Sequence, residues 1–184
     1  MVNIQDIIQL RAFARQDGAI LGLVWIVSFA CTMLAFNSNS GLLSITSNLL
    51  ALSTPFVVGM RLKSFRDQAL DGNISFKRGL AYCLNTFFNA TILLTIVQFL
   101  WFKYMDISAF MLQLQGTYPI IKEAYQLSAA EAKTLLDAIL MMKPIAWASL
   151  FMTTEIVTGL FMSPFIALAM KRRTGYNEKI TPIQ

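Results

Sequence analysis

Four apolar runs, Ala19–Phe36, Gly41–Met60, Gly79–Phe102 and Ile145–Met170, are each long enough to cross a hydrocarbon layer about 30 Å thick. Backbone amides cannot be left unpaired in lipid, so runs of this kind fold as helices that satisfy their own N–H and C=O groups. With 56% hydrophobic residues in 184 and a mean hydropathy of +0.58, the chain is too apolar for an ordinary soluble domain. The sequence predicts an all-α polytopic membrane protein, one membrane domain over residues 1–184 with four transmembrane helices.

The polar segments between the runs fill in the remainder. Residues 1–18 are amphipathic, with Ile4, Ile7, Ile8, Leu10 and Phe13 on one side and Arg11 and Arg15 on the other, which predicts an interfacial helix. No small-x-small cleavage site follows the first run, and the residues before Cys31 do not form a lipobox, so it reads as an uncleaved span. The uncharged linker Asn37–Ser40 makes spans one and two a tight hairpin. Pro55 and Pro164 are candidate kinks. Residues 61–78 read as a basic loop with a turn at Asp71-Gly72-Asn73 and a helix cap at Ser75. Trp101, Phe102 and Tyr104 read as an interface belt. Residues 105–143 are expected to form two short amphipathic helices outside the membrane, parted at Gly116–Pro119, with a capping box at Ser128–Glu131. Pro144 suits the first turn of span four, and residues 171–184 form a polar tail.

Charge sets orientation and excludes function classes. Residues 1–18, 61–78 and 171–184 hold eleven of the fifteen Lys and Arg residues. The positive-inside rule then places both termini in the cytoplasm and residues 105–143 outside. The net charge of +5 follows this distribution, and no basic stripe with interleaved aromatics points to nucleic acid. The chain has no histidine, and Cys31 and Cys83 lie far apart inside apolar runs. Neither a metal site, a disulfide nor any cofactor is expected, and no nucleophile or phosphate-loop signature suggests an enzyme. The expected partners are membrane lipid and another membrane protein or a second copy of the chain.

One residue in the apolar runs carries full charge. Glu155 stands near the middle of the fourth, where insertion of an acid costs about 2.5–3.5 kcal/mol. At a rise of about 1.5 Å per residue, Asn48 falls at nearly its depth, Thr91 and Thr95 bracket it, and Asn89 lies deeper. Thr158 and Gly159 share its helix face and would let another helix approach. Glu155, Asn48, Asn89, Thr91 and Thr158 form the candidate polar site. It reads either as a proton or ion site or as a neutral acid hydrogen-bonded across helices. The lack of a second acid or an intramembrane Lys or Arg favours the latter. Asn85 with Asn89, and the Gly18-x-x-x-Gly22 pattern, are candidates for helix packing, whether within the bundle or at a dimer seam. Thr54-Pro55-Phe56-Val57-Val58 matches Ser163-Pro164-Phe165-Ile166-Ala167, which suggests two hairpins in tandem, although Pro followed by basic residues is common near such helix ends.

Asp17-Gly18-Ala19-Ile20-Leu21-Gly22, the basic loop with Gly72-Asn73-Ile74-Ser75-Phe76, and the exit Phe102-Lys103-Tyr104-Met105-Asp106 together resemble a family of small uncharacterised inner-membrane proteins of Bacteroidetes, the domain of unknown function 4199. The resemblance implies a four-helix inner-membrane protein and carries over no catalytic residues. The leading expectation is a non-enzymatic protein acting by helix association, as an accessory subunit or homo-oligomer. The alternatives are a small channel or transporter subunit built on Glu155, or a lipid or envelope-stress sensor.

Overall fold

The computed structural model describes residues 4–172, which places residues 1–3 and most of the polar tail outside it. The described chain is eight helices: α1 (Ile4–Ser38), α2 (Gly41–Leu52), α3 (Thr54–Ala69), α4 (Phe76–Tyr104), α5 (Ser108–Gly116), α6 (Tyr118–Ala124), α7 (Ala129–Leu140) and α8 (Pro144–Met170). Among the described residues there is no strand. Helices α1, α2–α3, α4 and α8 are long and apolar enough to cross a membrane. Helices α1 and α4 form the centre; α2 packs on α1, α8 packs on α4, and α3 reaches α8 at the end that carries Arg61, Arg66 and Arg78, here the basic end.

Helix α1 runs unbroken through Gly18, so the sequence reading of a separate interfacial helix over residues 1–18 gives way to one helix of 35 residues. Gly18 does not end the helix. Its missing side chain makes room for α4, since a Cβ there would sit 2.6 Å from Asn89 Cβ and 2.8 Å from the Thr86 carbonyl.

The second span differs from its expected bounds in two ways. It breaks at Ser53, and Pro55 then occupies the first turn of α3, where its absent N–H costs no helical hydrogen bond. It also continues to Ala69, so Arg61, Lys63 and Arg66 lie on a helix and not in a loop. The cause is a stripe at i, i+4 and i+7: Val58, Leu62 and Phe65 are fully buried, and nothing breaks the pattern before Asp71-Gly72. There both residues take positive φ, 49° and 77°, in the expected turn. Helix α8, by contrast, continues through Pro164 as one element.

The basic end is laced shut. Ile74 and Arg172 exchange backbone hydrogen bonds of 2.9 and 3.1 Å, and the Arg66 guanidinium donates to the Met170 carbonyl at 3.3 Å. Ser75 caps α4 by accepting the Arg78 N–H.

The opposite end is covered by α5, α6 and α7, three helices where the sequence suggested two. Gly116 ends α5 and Pro119 opens α6. The Ser128–Glu131 capping box forms as expected, and the Ser128 hydrogen bonds hold the Glu131 carboxyl below the usual carboxylate range. An aromatic cluster joins this cap to the bundle. Phe102 stacks on Trp147 and Phe151, both at 5.8 Å, and Phe110 of α5 meets Phe102 at 5.5 Å. Phe102 is therefore core, not part of an interface belt, whereas Tyr104 is exposed.

Candidate functional site

The acidic side chains inside the bundle stand in two places. The first is at the basic end. Asp17 of α1 is buried, its side chain 2% exposed, and both Nε and Nη2 of Arg61 lie 2.5 Å from its Oδ1. The Tyr82 hydroxyl donates to the other oxygen, Oδ2. One carboxylate thus ties α1, α3 and α4 together, and both of its oxygens are engaged. Tyr82 in turn stacks on Phe65 at 5.0 Å, and Phe65 meets Phe13 at 5.1 Å. Arg78 lies over Phe65 and pairs with Asp6 at 3.6 Å. With both carboxylate oxygens engaged by side chains of other helices, this cluster reads as an ionic tie.

The second place holds Glu155. Its partner is Gln98 of α4, a residue the sequence reading did not consider, whose Nε2 donates to Glu155 Oε1 at 2.7 Å. Gln98 is 2% exposed, and its Oε1 and the Glu155 Oε2 are both buried without a partner. Two leftover acceptors lack a donor; in the neutral acid form one carboxyl proton supplies it.

The other expected members do not join Glu155. Asn48 is exposed on α2, which packs against α1 and not α8. Asn89 donates to the Asn85 carbonyl, and Thr158 donates to the Thr154 carbonyl, each within its own helix. Thr91 is buried with its hydroxyl unpartnered. Equal depth along the membrane normal did not mean equal position around the bundle.

The candidate packing residues do bring helices together. Gly18 and Gly22 face α4, the first against Asn89 and Thr86, the second against Leu93 and Ala90. The pattern is therefore a seam within the bundle and not a dimer seam. Gly159 of α8 admits Phe87 of α4, whose Cβ would be 2.7 Å from an added Cβ. Hydroxyls fasten α1 to the second span. Trp25 donates to Thr54 Oγ1 at 2.9 Å, Ser28 donates to the Ser47 carbonyl at 3.0 Å, and Thr32 bonds Ser47 Oγ.

A helical bundle with four membrane-spanning elements, held by one buried ion pair and one acid–amide contact, defines the class of protein. Within that class, the family described as "Protein of unknown function (DUF4199)" matches residues 16–172, and the chain belongs to it. Neither a curated protein nor a solved structure matches the chain.

Proposed function

We propose that this chain is a non-enzymatic inner-membrane protein of bacteria that works by helix association, as a homo-oligomer or an accessory subunit. The observation that carries this reading is Asn48. It stands on the exposed face of α2 among Leu42, Ile45, Leu49 and Leu52, and makes no hydrogen bond to any described residue. By rise along the helix it sits about 10 Å in from Gly41, at hydrocarbon depth. An amide there gains by bonding to a helix of another chain, an interaction worth about 0.6 to 1.7 kcal/mol.

The test is the oligomeric state of the full-length protein in lipid bilayers, by single-molecule photobleaching of a labelled chain. Wild type is expected to associate with itself or a co-purifying membrane protein. Asn48→Leu should weaken that association about tenfold, the factor that 1.4 kcal/mol supplies. A lone wild-type monomer with no companion, or association indifferent to Asn48→Leu, overturns the reading.

The unpartnered Oε2 of Glu155 supports one rival, a small transporter subunit. Glu155 lines none of the clefts in the bundle wall around Phe88 and between α3 and α8, which favours association. Ion flux in proteoliposomes that is abolished by Glu155→Gln would favour the rival.

A further inference from the structure

Two clefts meet on the α4 surface, and their chemistry is complementary. Between α1 and α4 a cleft of about 410 Å³ is walled by Arg11, Arg15, Asn85, Phe88 and Asn89. Between α4 and α8 a cleft of about 310 Å³ shares Asn85 and Phe88 and is otherwise apolar, with Leu84, Ile156 and Leu160. Both volumes fall in the range of about 300–1,000 Å³ typical of small-molecule sites.

Arg11 and Arg15 stand four residues apart on one face of α1, exposed, and neither pairs with a described carboxylate. Like charges at that spacing repel, so the pair is poised for an anion. Across the cleft Asn85 and Asn89 form a second i, i+4 pair. Each uses one N–H on its own helix, to the Ala81 and Asn85 carbonyls, which leaves a second N–H and a carbonyl oxygen per side chain. The contacts of Gly18 with Asn89 and of Gly22 with Leu93 set the register of two parallel helices: Arg15 lies about one turn toward the basic end from Asn89, level with Asn85, and Arg11 about one turn further. Polarity therefore falls across the groove: guanidinium on the α1 wall, amide on the α4 wall, then the apolar α4–α8 cleft on the far side of Phe88.

We propose that this groove binds one anionic glycerophospholipid, its phosphate against Arg11 and Arg15, its ester oxygens against Asn85 and Asn89, and an acyl chain across Phe88 into the α4–α8 cleft. A zwitterionic lipid brings its own cation to the arginines and binds less well. The site is independent of the α2 face on which association is proposed.

Native mass spectrometry of the full-length protein, released from micelles doped with phosphatidylglycerol or phosphatidylcholine, tests this. Wild type should retain a single phosphatidylglycerol in preference to phosphatidylcholine. The double variant Arg11→Gln/Arg15→Gln should lower that retention about thirtyfold, the factor expected for two basic residues near a phospholipid surface. Lys63→Gln/Lys77→Gln removes the same charge from the same end, outside this groove, and should leave retention unchanged. Glycerol phosphate, which has the headgroup chemistry without the chain, should not compete. Equal loss in both double variants would mean diffuse attraction and overturn the site. Retention indifferent to lipid charge, or full competition by glycerol phosphate, would overturn it as well.

Discussion

Arg61 keeps about a third of its side-chain surface in solvent, at 34%, whereas Asp17 keeps 2%. That difference decides which of the two the fold can spare. Arg61→Gln strands a buried carboxylate with only the Tyr82 hydroxyl, and removing one partner of a buried pair costs about 3–5 kcal/mol. Asp17→Asn strands a cation that can turn toward water, and the amide can still accept from Tyr82, so the cost falls to about 1–2 kcal/mol. Thermal unfolding in detergent should therefore show a larger loss for Arg61→Gln than for Asp17→Asn; the reverse order would refute the tie. The sequence held this pair in plain view. Asp17 stands two residues before one apolar run and Arg61 directly follows the next, so the same depth count that was applied to Glu155 sets them nearly level. They read instead as headgroup charges because charge at the end of a span is ordinarily solvated. The Glu155–Gln98 contact was less legible. Side chains lean toward the N-terminus of their helix. Since α4 and α8 run in opposite directions, Gln98 reaches back toward the basic end and Glu155 toward the cap, and they meet although their Cα atoms differ in depth.

Where helices approach most closely, glycine is the reason, and the three sites differ in what an added methyl meets. At Gly18 the obstacles include a backbone carbonyl at 2.8 Å, and at Gly159 they are Phe87 Cβ and Cγ at 2.7 and 2.9 Å. None of these is a flexible chain end. At Gly22 the nearest atoms belong to Leu93 at 3.2 and 3.3 Å, where a side chain can shift by tenths of an ångström. Gly18→Ala and Gly159→Ala should each destabilise the bundle by about 1–3 kcal/mol through overpacking. Gly22→Ala should be nearly neutral, because a gain of about 0.8–1.0 kcal/mol in helix propensity offsets the tighter contact. Unfolding of the three variants by denaturing detergent checks the ranking; equal effects would mean that α1 and α4 do not pack at this register. Element boundaries were legible wherever a local signal marks them: Pro144 opens α8, Ser75 caps α4, and the Ser128–Glu131 box opens α7. They were not legible where tertiary packing overrides local pattern. The charges of Arg61, Lys63 and Arg66 suggested a loop, yet Leu62 and Phe65 between them bury a stripe and extend the helix.

At the scale of the whole molecule, the two ends differ in charge and in covering. The basic end joins α3, α4 and α8 through Arg66, Ile74 and Arg172, and among the described residues the segments at this end hold nine Lys and Arg. The other end is roofed by α5 to α7, where Lys122 and Lys133 are offset by Glu123, Glu131 and Asp137. Cationic loops resist transfer across a bacterial inner membrane, while a balanced segment does not, so the chain should insert with its basic end in the cytoplasm. The lipid groove then opens to the leaflet whose surface is negative, where two unpaired arginines meet the phosphate they lack. Thiol labelling with a membrane-impermeant reagent tests this directly. Glu123 on α6 and Lys77 at the start of α4 are both exposed, and the buried Cys83 and mid-span Cys31 give little background. In intact bacterial cells with a permeabilised outer membrane, Glu123→Cys should react and Lys77→Cys should not; after lysis both should. Reaction of Lys77→Cys from outside would invert the topology. The groove would then face the opposite leaflet, and native mass spectrometry would still report whether it holds a lipid, since that measurement does not depend on orientation.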